Sequence, residues 1–285
     1  MSKIIAVFYN PDKPNIKNIF AHLIEWLKKQ GVQVIAKLSH ADLRLAEFAL
    51  VLGGDGTILR VGRTLAPHGI PILGINLGRL GFLAETDIKD LYKILKKALN
   101  KELKIEDRDM LKISVFRDGK NKRSKTEISD NLVKSSLALN DCYIHTGSSS
   151  RIIELDAYVN GEFLATYIGD GLIVSTPTGS TAYSLAASGP IVVPQLPVML
   201  LTPICPHTLA QRPLLVSSQD QVELVIKNCA LSKFIFLSFD GQESVSIQLK
   251  DRIRIENASQ KLKLLVDPKR SYYQILRTKL RWGER

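Results

Sequence analysis

The sequence predicts an α/β + all-β protein: a doubly wound N-terminal α/β domain followed by a β-sandwich-like C-terminal domain. In the first hundred residues, continuously apolar segments such as FALVL (48–52) alternate with segments of helical period. Farther along, short strand-like segments are separated by turn signals such as Asn160-Gly161 and Asp240-Gly241. Apolar strands between helices favour a parallel sheet covered on both faces, whereas short strands joined by tight turns favour a sandwich.

The N-terminal domain is predicted over residues 1–100. Its strands are KIIAVFY, VQVIAKL, FALVL and IPILGINL. The first helix is predicted because apolar residues recur at helical spacing, and it is expected to end at Gly31. The residues of this apolar stripe are Ile16, Ile19, Phe20, Leu23 and Leu27. Two more helices are predicted over residues 56–66 and 88–99, because apolar residues again recur at helical spacing there.

The C-terminal domain is predicted over residues 101–268, with 269–285 as a separate C-terminal segment. Its strand segments are LKISVFRDG, SLALNDCYIH, IIELDAYVNGEFLATY, PLLVSS, VELVIKN, FIFLSFDGQESVSIQL, DRIRIEN and KLKLLVD. The segment SYYQILRTKLRW has some helical character, but pattern alone does not assign it to a position in the fold.

Composition excludes several classes of protein. A hydrophobic content of 45% with 24% charged residues is ordinary for a globular protein, and the net charge of +11 favours anionic partners. The basic residues are dispersed apart from RDGKNKRSK (117–125), which is typical of a solvated hairpin tip, and no nucleic-acid-binding signature is present. The three cysteines contain no CxxC pair, and the longest apolar run, LPVMLLTPICP, is broken by prolines. With no signal-peptide pattern, a cytoplasmic protein without a membrane span is predicted.

The segment GGDGT (53–57) places an acidic residue, Asp55, in a glycine turn. Because a continuously apolar strand precedes it and a helical period follows, the turn is predicted at a strand–helix junction, where N–H groups suit an anion. The segment is neither a GxxxxGK[ST] loop nor a GxGxxG fingerprint. Asp55 would then bind Mg²⁺ or accept a proton from an attacking hydroxyl, although a plain tight turn explains the same residues.

A second unusual segment, DGLIVSTPTGSTAYSLAASGPIV, covers residues 170–192. Hydroxyl groups crowd around Gly179 between a predicted strand and a small helix. Such neutral donors and acceptors suit recognition of ribose and adenine edges. A well-capped helix of small residues is the alternative.

Five segments together resemble the successive motifs of the NAD kinases. They are GGDGT, GINLGRLGFLAE, LND, DGLIVSTPTGSTAYSLAASGP and FDGQ, beginning at residues 53, 74, 139, 170 and 239. Glycine–aspartate turns like the first also occur in lipid kinases and phosphofructokinases, whereas the long threonine–glycine–serine motif is specific and absent from the lipid kinases. The resemblance implies transfer of the γ-phosphoryl group of ATP to the 2′-hydroxyl of the adenosine ribose of NAD, giving NADP.

The resemblance implies a role for each residue of the first motif. Asp55 is expected to be the general base, with assistance to Mg²⁺. The glycines Gly53, Gly54 and Gly56 would shape the loop at the phosphates. Thr57 would cap the following helix or touch phosphate. Arg60, one turn farther along, would reach a phosphate or remain solvated.

The later motifs would supply the nucleotide contacts. Asn140 would read the adenine edge, and Asp141, which is glutamate in many members, would bind ribose hydroxyls. Arg151 stands where the family contacts nucleotide phosphate or a neighbouring subunit's ligand, and Gln242 aligns with a further nucleotide contact. The remaining expected contacts, with hydrogen bonds from the hydroxyl groups and a ring contact from tyrosine, are Asp170, Thr181, Ala182, Tyr183, Ser184, Leu185 and Ala186.

The family resemblance also implies partners. NAD and ATP are the expected substrates, with Mg²⁺ or another divalent metal accompanying ATP, and no protein residue is assigned as a dedicated metal ligand. A homodimer or homotetramer is expected, and residues 271–282 are expected to return to the first domain. The alternatives are a diacylglycerol- or sphingosine-type lipid kinase that shares the GGDGT loop, and a nucleotide-binding protein without catalysis.

Overall fold

The structure, a computed structural model, describes residues 3–35, 45–78, 81–84, 86–118, 130–147, 152–229 and 235–282. The chain divides into two compact units, one formed by Met1–Arg108 with Gln260–Arg285 and the other by Asp109–Ser259. These bounds differ from the predicted domains 1–100, 101–268 and 269–285, because a strand before residue 109 and a strand after residue 259 both belong to the first unit's sheet.

The first unit contains a seven-stranded sheet. Its strands are β1 (Lys3–Tyr9), β2 (Val32–Ile35), β3 (Phe48–Leu52), β4 (Ile72–Asn76), β5 (Thr86–Asp87), β6 (Lys104–Arg108) and β19 (Leu262–Val266). They follow the order β2-β1-β3-β4-β19-β6, with β5 paired to β4. All these pairs are parallel except that of β19 with β6, so the chain returns from the second unit to complete this sheet.

Helices cover both faces of this sheet, as expected for a doubly wound unit. The helices are α1 (Ile16–Lys29), α2 (Asp55–Leu65), α3 (Leu91–Leu99) and α5 (Tyr272–Leu280), with short 3₁₀ turns at Ala66–His68 and Ile88–Asp90. In β4, Leu73 and Ile75 join one hydrophobic cluster with α1 and α3. Gly74, which points to the other face, lies against Ile58 of α2, where a Cβ at the glycine would be 2.5 Å from Cδ1.

The second unit consists of two six-stranded antiparallel sheets. One follows the order β11-β10-β15-β18-β7-β8 and the other β14-β13-β12-β9-β16-β17. Their strands are β7 (Leu111–Asp118), β8 (Asp130–Ala138), β9 (Asp141–His145), β10 (Ile153–Val159), β11 (Glu162–Gly169), β12 (Gly171–Ser175), β13 (Val198–Ile204), β14 (Leu214–Ser217), β15 (Val222–Cys229), β16 (Ile235–Phe239), β17 (Glu243–Ile247) and β18 (Arg252–Asn257). A 3₁₀ turn (Thr178–Thr181) and the one-turn helix α4 (Tyr183–Ala186) follow β12.

The two sheets enclose a single hydrophobic core, which confirms the predicted sandwich. In β10, buried Ile153, Leu155 and Ala157 alternate with outward-facing residues, and they join a cluster that contains Leu172 and Val174 of the other sheet. The predicted hairpin turn at Asn160-Gly161 is present, with both residues at positive φ between β10 and β11.

Two segments differ from the sequence prediction. SLALNDCYIH is not one strand, because the chain leaves β8 at Ala138 and enters β9 of the other sheet at Asp141. The apolar run LPVMLLTPICP contains β13, an interior strand of its sheet, and was not predicted as a strand. The predicted strand VQVIAKL extends past β2 into residues outside the described part of the chain, as does most of the basic hairpin tip. No helix in the described residues has the length and apolar character needed to cross a membrane.

Candidate functional site

The GGDGT segment lies at the strand–turn–helix junction that the sequence predicts. β3 is buried at every position and is followed by Gly53, whose N–H donates to the Ile75 carbonyl at 2.9 Å. Gly54, in extended conformation, precedes α2, and Asp55 is the first residue of that helix. The positive end of the helix dipole therefore lies at this loop, together with the N–H groups of the first turn.

The Asp55 carboxylate is held by the backbone of a neighbouring loop. It accepts N–H bonds from Phe82 on Oδ2 at 2.8 Å, and from Leu83 and Ala84 on Oδ1 at 3.1 and 3.0 Å. A Cβ at Gly81 would stand 1.9 Å from Oδ1, so only glycine permits this approach. A carboxylate offers about four lone-pair directions. With the donors of the described residues in place, Oδ2 therefore keeps one acceptor position for a proton or a cation.

Of the other residues in the GGDGT segment and the part of α2 that follows it, some are packed inside the protein and others are exposed to solvent. Gly53 packs directly on Thr57, since a Cβ at the glycine would be 2.3 Å from the threonine Oγ1. Thr57 is buried, and its N–H bonds to the Gly54 carbonyl at 2.9 Å. Gly56 and Arg60 are exposed. Thr57 therefore has an internal packing role, while Gly56 and Arg60 lie where a ligand has access to them.

In the second unit, the LND segment is a turn organised by an acidic residue that the sequence analysis assigned only to a hairpin turn. The Asp240 carboxylate accepts N–H bonds from Leu139, Asn140 and Asp141 at 3.1, 2.7 and 3.3 Å, and its own N–H donates to the Asp141 carbonyl at 2.9 Å. Asp240 is only 8% exposed and has a φ of 51°, a conformation that Asp tolerates better than most residues. The Asp-Gly turn signal concealed this role, because burial of the aspartate is not visible in the motif.

Asp141 is a buried carboxyl group, with 3% of its surface exposed. Burial, reinforced by the negative charge of Asp240, raises the pKa of Asp141 to about 7, although a hydrogen bond from the Tyr183 backbone acts in the opposite direction. Near neutral pH this carboxyl group is therefore present in both its protonated and ionised forms, and the protonated form donates as well as accepts.

The hydroxyl-rich segment packs directly on the LND turn. Thr176 donates its N–H to the Asn140 carbonyl at 2.8 Å and its hydroxyl to the Leu139 carbonyl at 2.6 Å. The same hydroxyl accepts from the Gly179 N–H at 3.0 Å. A Cβ at Gly179 would be 2.0 Å from the Asn140 carbonyl oxygen, so glycine is required for this contact. These bonds fix the backbone that presents the Asn140 and Asp141 side chains.

Several hydroxyls of this segment are used inside the protein. Ser184 is fully buried, and its hydroxyl shares a 2.8 Å hydrogen bond with Thr202. Ser180 is also fully buried and donates to the Pro177 carbonyl. Thr181 donates to the Thr178 carbonyl at 3.2 Å but remains partly exposed. Of the two expected hydroxyl donors to NAD, Thr181 is thus accessible and Ser184 faces the interior.

Tyr183 lies with its ring edge-on to Tyr143, at 4.9 Å between centroids, and is 39% exposed. Burial raises the pKa of the Tyr183 phenol, and negative charge on four neighbouring groups acts in the same direction. These neighbours are Tyr143, Cys205, Asp170 and Asp141. The structure therefore brings the predicted residues Asp141, Asp170 and Tyr183 together, along with two residues that the sequence analysis did not select.

The remaining predicted contacts lie at varied depths. Ala182 and Leu185 are partly exposed, and Ala186 and Gln242 are exposed. The Gln242 N–H closes the Asp240-Gly241 turn on the Phe239 carbonyl at 3.0 Å. Arg151 lies outside the described residues.

The described residues contain no group of three His, Cys, Asp or Glu side chains suited to hold a metal ion. Mg²⁺ in nucleotide-dependent enzymes usually needs only one or two carboxylates, because phosphate oxygens and water complete its coordination. The single acceptor position on Asp55 Oδ2 is compatible with such a metal.

Two models of known protein domains match the chain. The ATP-NAD kinase N-terminal domain model matches residues 38–103, which include the Asp55 loop. The ATP-NAD kinase C-terminal domain model matches residues 139–266, which begin at the LND turn and include Asp240. The chain belongs to the NAD kinase family.

Relatives within the NAD kinase family match nearly the whole chain. The NAD kinases of Geotalea daltonii and Geobacter metallireducens are each 38% identical to it, over 99% of this chain and 100% of theirs. That of Moorella thermoacetica is 39% identical, over 98% of this chain and 89% of its own.

Solved structures of the NAD kinase family share the fold of both units. Yeast NADH kinase in complex with NADH matches with a TM-score of 0.85 and 25% identity, over 99% of this chain and 88% of its own. An NAD kinase from Archaeoglobus fulgidus in complex with ATP matches with a TM-score of 0.75 and 29% identity, over 98% of each chain. Neither alternative from the sequence, a lipid kinase or a non-catalytic binding protein, is supported by these comparisons.

Proposed function

We propose that the chain transfers the γ-phosphoryl group of ATP to the 2′-hydroxyl of the adenosine ribose of NAD, giving NADP. The observation that carries the reaction type is the Asp55 carboxylate, fixed at a glycine-rich helix N-terminus with one acceptor position left on Oδ2. Family membership supports the identity of the two substrates.

Asp55 is the proposed general base. Three N–H bonds fix the carboxylate in one orientation, so that Oδ2 is directed toward an incoming hydroxyl without further reorganisation. The 2′-oxygen attacks the γ-phosphorus of ATP, and the bond between that phosphorus and the oxygen that leaves with the β-phosphate breaks. The proton of the 2′-hydroxyl passes to Oδ2 of Asp55. The N–H groups at the start of α2 favour the phosphate charge.

The second unit is proposed to recognise NAD. Asn140 presents its amide to the adenine edge, and Asp141 bonds the ribose hydroxyls as donor and acceptor near neutral pH. Asp170, Thr181 and Tyr183 complete the polar contacts. Ala182, Leu185 and Ala186 provide apolar surface, and Gln242 and Arg151 are retained as nucleotide contacts on the resemblance alone.

Ser184 is reassigned in this proposal from ligand donor to structural residue. Its hydroxyl is bonded to Thr202 and fully buried, so its contribution to NAD binding is to hold α4 in place. We likewise assign Gly53 and Thr57 to loop support, and Gly54, Gly56 and Arg60 to the phosphate side of the site.

Mg²⁺, or another divalent metal, is proposed to accompany ATP and to neutralise phosphate charge. Asp55 is the residue of the described chain that would contact it, through the acceptor position on Oδ2 or through a bound water. The protein's own part is to orient this carboxylate and to hold the phosphate chain.

A cytoplasmic homo-oligomer is proposed as the working form. Free cysteines without a disulfide in the described residues suit a reducing compartment. Exposed apolar residues on the sheet-edge strands β8, β11 and β14 suit burial between copies of the chain; they are Leu132, Val133, Phe163, Leu214 and Leu215. Sedimentation velocity of the purified protein tests this, with a dimer or tetramer expected and a concentration-independent monomer contradicting it.

The experiment that tests the activity is direct. The purified protein is incubated with ATP, Mg²⁺ and NAD, and NADP is detected with an NADP-specific dehydrogenase. Formation of NADP in proportion to enzyme and time is expected. Absence of NADP while dispersed diacylglycerol or sphingosine is phosphorylated would favour the lipid-kinase reading, and ATP and NAD binding without any transfer would favour a non-catalytic protein.

A further inference from the structure

Lys13 lies outside every motif that the sequence analysis selected. It belongs to the loop between β1 and α1 and is half-buried. Its ammonium nitrogen lies 3.9 Å from the position that a Cβ at Gly78 would occupy, a position equally close to the Asn76 side-chain oxygen. Among the ion pairs of the described residues, none involves Lys13.

This loop lies at the edge of the sheet that carries Asp55. The N–H of Asn10, just after β1, bonds to the Leu52 carbonyl at 3.1 Å, immediately before the GGDGT segment. The Gly53 N–H in turn bonds to Ile75 of β4 at 2.9 Å. Because β1, β3 and β4 are parallel, the three loops that follow them meet at the same carboxyl edge, where α/β sheets bind ligands.

The glycine loop itself lacks a cation. GGDGT contains no lysine or arginine, and its one charged residue is negative. A triphosphate placed beside the Asp55 carboxylate therefore needs positive charge from elsewhere in the fold. Lys13 is a half-buried ammonium group that pairs with no carboxylate of the described residues, and it lies beside the loop that follows β4. A partly desolvated cation of this kind favours an anionic ligand.

A second ammonium group approaches the same loops from the C-terminal helix. Lys279 of α5 lies 5.6 Å from the ring centroid of Phe82, whose N–H bonds to Asp55. This cation increases the positive potential at the carboxyl edge. Lys13 is distinguished from it by its position in the loop that follows β1, next to the backbone of Gly78.

We propose that Lys13 binds the phosphate chain of the phosphoryl donor and so supplies the cation that the GGDGT loop lacks. The inference rests on the proposed kinase function and assigns a donor-binding residue that no motif contains. Alternatively, Lys13 only covers Gly78 and Asn76, in which case its charge has no effect on the donor.

The test uses the full-length protein and the variants Lys13→Met, Lys13→Arg and Lys17→Met. The methionine variant keeps the length of the side chain and removes its charge. Lys17, an exposed residue in the first turn of α1, is the matched control. The measurements are the KM values for ATP and NAD during NADP formation, and binding of Mg²⁺-ATP by calorimetry without NAD.

For Lys13→Met we expect weaker Mg²⁺-ATP binding and a KM for ATP raised by about 10- to 100-fold, the scale of a lost hydrogen bond to a charged group. The KM for NAD should change by less than about threefold, as should all parameters of Lys17→Met, since exposed charges contribute little. Lys13→Arg should recover most of the ATP affinity, because it restores the charge.

Two results would overturn the inference. One is that Lys13→Met binds Mg²⁺-ATP as tightly as the wild type and has the same KM for ATP, while the wild-type protein makes NADP normally. The other is an equal rise in both KM values with a lowered melting temperature, which is the signature of a structural role. Failure of the proposed function itself is distinguishable, because then the wild-type protein makes no NADP, whereas calorimetry still reports whether Lys13 binds the donor.

Discussion

At the scale of single residues, the close approach of Gly81 to Asp55 leaves no room for a larger residue, since a Cβ at Gly81 would stand 1.9 Å from Oδ1. Replacing Gly81 by Ala places a methyl group where Oδ1 now lies, so the carboxylate must leave its three N–H donors. We expect kcat for NADP formation to fall about 10²-fold, the scale of a misplaced reacting group.

A double-mutant cycle checks that this loss acts through Asp55. In the presence of Asp55→Asn, the Gly81→Ala change should cost little more, because the group that it displaces has already been disabled. Additive losses in the double variant would show that Gly81 acts by some other route.

The buried Asp141 carboxyl group gives a pH dependence whose sign is fixed by its pKa. The folded pKa, about 7, lies above that of the unfolded chain, so the folded state retains a proton that the unfolded state loses. The contribution of this group to stability is full below about pH 4, where both states are protonated, and is lost as pH rises through about 7.

Asp141→Asn removes this dependence while nearly preserving the shape of the side chain. From about pH 5 to about pH 8, we expect the wild type to lose about 2–3 kcal/mol of unfolding free energy relative to the variant. Urea unfolding at the two pH values measures this, with Asp107→Asn, an exposed carboxyl group, as control. A difference between wild type and Asp141→Asn that is the same at both pH values would contradict the assignment.

At the scale of elements, the LND turn depends on Asp240 from the β16–β17 hairpin. Asn tolerates the left-handed backbone at this position, so Asp240→Asn removes the charge and one acceptor oxygen without adding backbone strain. Asn keeps one acceptor oxygen, so at least one of the three backbone N–H groups loses its acceptor and faces an amide NH₂ group instead. We therefore expect a destabilisation of about 1–3 kcal/mol together with a raised KM for NAD.

Denaturant unfolding and NAD saturation curves measure these two effects. Asp220→Asn, in the turn between β14 and β15, is the matched control, and we expect it to change stability by less than about 1 kcal/mol, since it is partly solvated. Equal effects of the two substitutions would remove Asp240 from its organising role.

The sequence predicts most elements but not their partners. DRIRIEN and KLKLLVD both contain alternating polar and apolar residues, yet the first forms β18 in the sandwich and the second forms β19 in the parallel sheet. A period of two predicts a strand with one buried face, but it does not indicate which sheet the strand joins. β6 escaped prediction because most of its residues are exposed and charged at the edge of the sheet.

The candidate site shows the same limit. The glycine–aspartate loop and the hydroxyl-rich segment are readable as motifs, because their residue types are unusual at those positions. The direction of each side chain is not readable. Ser184 and Thr181 are both hydroxyl residues of one motif, but only the structure distinguishes the interior bond of the first from the partial exposure of the second.

At the scale of the whole molecule, the first unit is built from two separate segments of the chain. The last strand and helix of the first unit, β19 and α5, follow the whole of the second unit in the sequence. β19 pairs with β4 and β6 and so completes the sheet of the first unit. No pattern near residue 260 signals this return, and the predicted boundary at 268/269 therefore differed from the observed one.

The net charge of +11 acts on the molecule as a whole. ATP and NAD are both anionic, so attraction by this charge should weaken as salt screens it. We expect the KM for ATP to rise more than the KM for NAD as ionic strength increases from about 0.01 to about 0.15 M, because ATP carries more charge. Initial rates at several salt concentrations measure both values, and a salt-independent KM for ATP would contradict this.

The central claim is that Asp55 takes the proton from the ribose hydroxyl during phosphoryl transfer. Its most direct test is kcat for NADP formation by Asp55→Asn, measured together with the dissociation constant for NAD. We expect kcat to fall by about 10²–10⁴, the scale of a lost general base, with NAD affinity within a few-fold of the wild type. Turnover near the wild-type rate in that variant would contradict the account.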